Sequence, residues 1–174
     1  MPTTPEGFQK RVVQIREDLV QQGRRVQAML EAGNEALVAR DVSRARAIAA
    51  QDDAIDKTDV EIERASVALL TEACRDGANL APEQVRAILT VVKINNELER
   101  IADEVSAIGY LVGALGAFQA PLPATFTVVG NSVVGILRDV CTSYARGDAA
   151  LAKVVLQSQD TAEAFKRAIM RDAA

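Results

Sequence analysis

The sequence predicts an all-α protein, an antiparallel three-helix bundle followed by a second, incomplete helical repeat. Three observations lead there. Hydrophobic residues make up 49% of the chain while aromatics make up only 3%, with no Trp. A mix dominated by Ala, Val, Leu and Ile favours long helices packed side by side. Apolar residues recur at helical spacing along nearly the whole length. Five prolines and ten glycines supply too little turn chemistry for an all-β fold.

The helices follow in order. The first spans about Pro5 to Arg40, with Phe8, Val12, Ile15, Leu19, Val26, Leu30 and Leu37 on one stripe. Pro5 suits its first turn, where a missing N–H costs nothing. Gly33 interrupts the stripe at a point where the helix can bend. The second helix begins after Asp41, a fitting N-cap, and carries Ile48, Ile55, Ile62 and Leu69 seven apart, a coiled-coil seam. It stops near Asp76-Gly77. The third opens at Ala81-Pro82-Glu83 and shows Val85, Leu89, Val92, Leu98, Ala102, Val105, Ile108 and Val112. At 1.5 Å per residue these two helices are each roughly 50 Å long, and a short connection makes them antiparallel neighbours. Pro121 and Pro123 then separate a further pair. The fourth helix carries Phe126, Val129, Val133, Leu137, Val140 and Tyr144; after Gly147-Asp148 the fifth carries Leu151, Val155, Ala162, Phe165 and Ile169.

Shifting the chain against itself by 107 residues places Gly23, Val26, Leu30, Asp41, Ala45, Asp53 and Arg64 on Gly130, Val133, Leu137, Asp148, Ala152, Asp160 and Arg171. The helix-turn-helix anatomy repeats with the residues. The expected organisation is therefore a first three-helix bundle over 1–118 and a second repeat of two helices over 124–174. A bundle short of one member leaves an apolar groove, and large exposed apolar patches are rare on soluble monomers. The last two helices are expected to pack on the first bundle or on another chain, with a homodimer or domain swap the simplest arrangement.

Charge narrows the function. A net charge of −4 and a pI near 5.0, with 20 basic residues interleaved among 24 acidic ones, argue against a nucleic-acid partner. No signal peptide is visible. Cys74 and Cys141 lie far apart inside helical patterns and read as reduced, partly buried thiols of a cytoplasmic protein. No charged residue falls between Val105 and Leu137. Pro121 and Pro123 break that stretch, and Gln119, Thr125, Thr127, Asn131 and Ser132 dilute it below the roughly 20 apolar residues a spanning helix needs. It reads as a buried junction between bundles rather than a membrane insertion. With no His in the chain, a Glu-x-x-His di-iron centre, a phosphotransfer histidine and the Ser/His or Cys/His nucleophile systems all fail. No Gly-rich phosphate loop occurs. A binding protein is expected, not an enzyme.

The chemistry that remains is acidic. Glu99 and Asp103 are four apart on the third helix and project as neighbours, with Asn96 one turn earlier. On the second helix Asp52, Asp56, Asp59 and Glu63 follow 4-3-4 spacing beside the isoleucine seam. A hairpin turning near Ala78–Leu80 pairs residues whose numbers sum to about 158, so Asp56 faces Asp103 and Asp59 faces Glu99, give or take one turn. Such converging carboxylates repel, and Lys57, Arg64 and Arg100 offer only partial balance. Hard cations relieve the repulsion, since carboxylate, amide and water oxygens suit Mg, Ca, Mn or iron. The alternative is an ordinary solvated face on a scaffolding bundle; a lone ExxxD is common in helices.

The run Glu97-Leu98-Glu99-Arg100-Ile101-Ala102-Asp103 resembles the signature of the PhoU family, approximately Leu-Glu-Arg-Ile-Gly-Asp, and Gln51-Asp52-Asp53-Ala54-Ile55-Asp56 resembles its Asp-x-x-Ile-Asp element. Ala102 stands where the family usually has Gly. The resemblance covers nearly the whole chain. It implies a PhoU-like tandem bundle that binds a divalent or trivalent metal ion (iron, Mg, Mn or Zn), with Glu99 and Asp103 as ligands and Asp56, Asp52 and Asn96 assisting. It also implies a cytoplasmic negative regulator of phosphate uptake, linking a phosphate-specific ABC transporter to a phosphate-sensing histidine kinase. Asp160 and Glu163 match Asp53 and Asp56 but face no second ExxxD, so a second metal cluster and the full regulatory range are not expected of a chain that reads as a shortened family member or a fragment.

Overall fold

A computed structural model describes residues 4–115 and 122–172. Among these residues it is all-helical: α1 (Pro5–Ala39), α2 (Val42–Ala49), α3 (Asp52–Arg75), α4 (Pro82–Leu115), α5 (Ala124–Arg146) and α6 (Ala149–Asp172). Pro121 and Gln119 lie outside the described residues.

The expected second helix is two helices. The chain breaks at Ala50-Gln51, where the Gln51 N–H turns back to the Ile48 carbonyl at 2.9 Å, a tightened turn of 3₁₀ character. No glycine or proline marks the place; charge does. Arg46 sits in the last turn of α2, and Asp52, Asp53 and Asp56 open α3. Cations favour a helix C-terminus and anions an N-terminus by about 0.3–1 kcal/mol each, so this order suits two dipoles better than one. The seam survives the break: Ile48, Ile55, Ile62 and Leu69 are all buried.

Two elbows are built alike. At the first, Arg40 adopts φ 53 and Asp41 N–H closes on the Ala36 carbonyl at 3.0 Å. Asp41 then caps α2 by accepting the Arg44 N–H at 2.9 Å. At the second, 107 residues later, Gly147 adopts φ 65 and Asp148 N–H closes on Ser143 at 2.8 Å, while Asp148 accepts the N–H groups of Ala150 and Leu151 at 3.0 and 2.9 Å. Each pairs a left-handed helix stop with an aspartate start.

By packing, the chain forms two compact units, one of Met1–Val26 with Asp53–Ile101 and one of Gln27–Asp52 with Ala102–Ala174. Their limits run inside α1 and α4, so they describe packing where the 107-residue period describes sequence.

In the first unit, segments of α1, α3 and α4 share a core whose buried positions alternate three and four apart. On α1 these are Phe8, Val12, Ile15, Leu19, Gln22 and Val26; on α4 they are Ile88, Val91, Asn95 and Leu98. The expected α4 stripe is corrected at its start: Leu89 is half exposed, and Ile88 and Val91 take its place. Two amides lie inside this core. Gln22 Nε2 donates to the Ile55 carbonyl at 2.7 Å. Asn95 Nδ2 donates to the Asp59 carbonyl at 3.0 Å and its carboxylate at 2.6 Å. Gln22 Oε1 and Asn95 Oδ1 are buried with no partner among the described residues, a cost of about 1–3 kcal/mol apiece.

In the second unit Gly33 does not interrupt α1; it admits Val105, whose Cγ1 would stand 2.8 Å from a Cβ there. Gly109 likewise lets α4 approach the Ala45 carbonyl. Helices α5 and α6 pack on each other, but their apolar faces stay partly open: Val133, Val140, Leu156 and Met170 are all exposed. Among the described helices α5 alone is long and apolar enough to cross a membrane by length and composition, although Arg138 and Asp139 interrupt its later half. Cys74 is exposed, a correction to its expected burial, and Cys141 is half-buried; both are free thiols.

Candidate metal centre

Two carboxylates of the second unit come together beside the start of α3. Asp52 and Asp103 offer oxygens within 4.8 Å of each other, and Asp56, one turn along α3 from Asp52, offers another within the same distance of Asp52's. A cation holding two oxygens at 2.3–2.6 Å spans up to about 5 Å between them, so this spacing admits an oxygen-seeking ion. Asp52 supplies the most telling atom. Its residue is only half-buried, yet Oδ1 is fully shielded from solvent and has no hydrogen-bond partner among the described residues. Asp56 and Asp103 are exposed.

The other expected ligands, Glu99 and Asn96, lie on α4. Glu99 is half-buried one turn before Asp103, and Asn96 is exposed. The amide that reaches an acidic side chain is its neighbour Asn95. Sequence reading passed over Asn95 and Gln22 because both are polar. The signal was their spacing: 19, 22, 26 on α1 and 91, 95, 98 on α4 put each on the buried seam.

The expected register holds to within one turn. Asp59 is bonded to Asn95 rather than level with Glu99. Its carboxyl is pushed above the ordinary range, first by burial and then by the charges of Glu63 and Asp56. Two of the basic residues expected to balance the stripes are engaged elsewhere: Arg100 reaches Glu97 at 3.1 Å, and Lys57 stands 4.0 Å from Glu61. Both are exposed pairs worth little on their own.

Residues 19–112, more than half of the chain, match the PhoU domain. Over 165 residues the chain is 26% identical to the phosphate-specific transport system accessory protein PhoU homolog of Aquifex aeolicus (strain VF5), covering 94% of this chain and 72% of that protein. Over 170 residues it is 24% identical to the protein of the same description from Clostridium acetobutylicum (strain ATCC 824), covering 97% of this chain and 76% of that one. The matched span takes in both acidic runs, the Asp52–Asp56 element on α3 and the Glu99–Asp103 element on α4. On the domain match and these likenesses, the chain belongs to the PhoU family.

Proposed function

We propose that this protein is a metal-binding cytoplasmic regulator of phosphate uptake that works by docking rather than by catalysis. Family membership supports the pathway, through relatives named as accessory proteins of a phosphate-specific transport system. The observation that carries the metal site is the shielded, unpartnered Oδ1 of Asp52 beside the Asp103 carboxylate. Asp52 and Asp103 would hold the ion, with Asp56, Glu99 and Asn96 the further candidates. A divalent or trivalent cation (iron, Mg, Mn or Zn) supplies positive charge that offsets carboxylate repulsion, and its presence alters the charge that the bundle presents to a partner. The partners proposed are the phosphate-specific transporter and a phosphate-sensing histidine kinase. The open apolar faces of α5 and α6 support a homodimer, which sedimentation tests.

Metal analysis of the purified protein tests the site, beside Asp52→Asn, Asp103→Ala and Glu99→Ala variants. Wild type is expected to retain metal that Asp52→Asn and Asp103→Ala lose. Metal content equal to wild type in both removes the site. A second reading is a scaffolding bundle with solvated acidic faces, favoured by the exposure of Asp56 and Asp103. The two readings part on melting: a bound ion stabilises the fold by mass action, about 2.7 kcal/mol at a hundredfold excess over Kd, whereas a solvated face gives no metal-dependent shift.

A further inference from the structure

We infer that Gln22 and Asn95 form a two-amide lock that fixes where α3 sits along its neighbours. The inference rests on the first unit alone and does not depend on metal binding. The α3 seam repeats almost the same residue every seven positions, Ile55, Ile62 and Leu69. To an apolar partner, one heptad of such a seam looks much like the next, so greasy contacts alone leave the axial setting loosely specified.

Gln22 removes that degeneracy through the carbonyls it can reach. Its amide donates to the Ile55 carbonyl at 2.7 Å. One heptad further along, the Ile62 carbonyl already accepts the Ser66 hydroxyl at 2.8 Å. Within the helix every carbonyl already accepts one backbone N–H, that of Ile55 included; at Ile62 the Ser66 hydroxyl takes the remaining acceptor site, so Gln22 slid one heptad that way finds none. Asn95 does the same from α4 with a side-chain partner. Its amide grips both the carbonyl and the carboxylate of Asp59, and a heptad's slide puts Ala102 or Ile88 there instead, neither able to hydrogen-bond through its side chain.

The unpartnered oxygens of the two amides point the same way. Gln22 is 0% and Asn95 2% exposed, and each leaves an acceptor unsatisfied. An apolar side chain would avoid that loss, so stability alone does not account for amides here. Specification does, as with a single buried polar residue that sets coiled-coil register at some cost in stability.

Spin-label distances test this. Labels at Arg24→Cys on α1 and Lys57→Cys on α3, both exposed positions of the first unit, are read in the full chain with Cys74→Ser and Cys141→Ser. The parent should give one narrow distance. Gln22→Met, which keeps the bulk and removes the donor, should add a second population displaced by up to about 10 Å, the rise of one heptad, with an equal or higher urea midpoint. Ser66→Ala leaves Gln22 intact but frees the second acceptor site of the Ile62 carbonyl, and should add the same second population as a minority. A single unchanged distance in Gln22→Met overturns the lock, because the amide then contributes hydrogen bonding without selecting a register. Should Gln22→Met fail to fold, the Ser66→Ala distance decides alone, and one narrow peak there overturns it.

Discussion

Asn95 Nδ2 stands 2.6 Å from the Asp59 carboxylate and 3.0 Å from the Asp59 backbone carbonyl, so one buried amide holds both the side chain and the main chain of the same residue on the opposing helix. The acid it holds is under electrostatic load, since burial, Glu63 and Asp56 all push its carboxyl up.

That load has a pH signature. A raised acid pKa means the folded protein binds the proton more tightly than the unfolded chain. Wild-type stability therefore gains as pH falls through Asp59's folded pKa and loses as Asp59 ionises above it. Asp59→Asn removes the charge and keeps an acceptor for Asn95. It is expected to exceed wild type at neutral pH by a few tenths of a kcal/mol per like-charged neighbour. The gap should close below the ordinary carboxyl value of 3.8. Urea midpoints across pH check this; a variant no more stable than wild type at pH 7 contradicts it.

Gly33→Ala is expected to lower stability by about 1–3 kcal/mol, the range for overpacking a filled core. The added methyl would meet Val105 Cγ1 at 2.8 Å, and Val105 is 1% exposed with a stiff branched side chain. Val105→Ala should partly rescue it, so the double variant costs less than the sum of the singles. Additive losses in thermal unfolding would mean the two residues do not share the space.

Gly147→Ala isolates a backbone effect. The residue sits at φ 65, and a Cβ there touches nothing. The expected loss is about 1–2 kcal/mol from the left-handed conformation alone. Gly77→Ala, at φ 66 and equally open, should lose a similar amount.

The two thiols should label in order. Cys74 is exposed, whereas burial pushes the half-buried Cys141 thiol up and lowers its thiolate fraction at neutral pH. Maleimide labelling followed by mass spectrometry should modify Cys74 first. Raising the pH should speed Cys141; simultaneous labelling at pH 7 would contradict the difference.

The fold was legible because helical punctuation is local. Proline at the start of α4, Gly77 after α3 and Gly147-Asp148 between α5 and α6 each act through their own backbone, and each stands at the expected boundary. The break at Ala50-Gln51 was not legible from breakers, because none is present; it follows from Arg46 and Asp52 charging two helix ends, a weaker signal than glycine or proline. At the acidic site the helices and approximate level could be read from spacing. The partner of Asp59 could not: one turn of offset separates Asn95 from Glu99, and side-chain reach, not sequence period, decides between them.

The two elbows, Arg40-Asp41 and Gly147-Asp148, each join a helix stop to a helix start with no residue to spare. One inserted amino acid would part the left-handed stop from the aspartate that begins the next helix. If it were absorbed downstream instead, it would turn that helix by about 100° and swing its greasy side toward water. These two corners should therefore tolerate a change of residue, as Arg40 and Gly147 in the same left-handed conformation illustrate, while refusing any change in length.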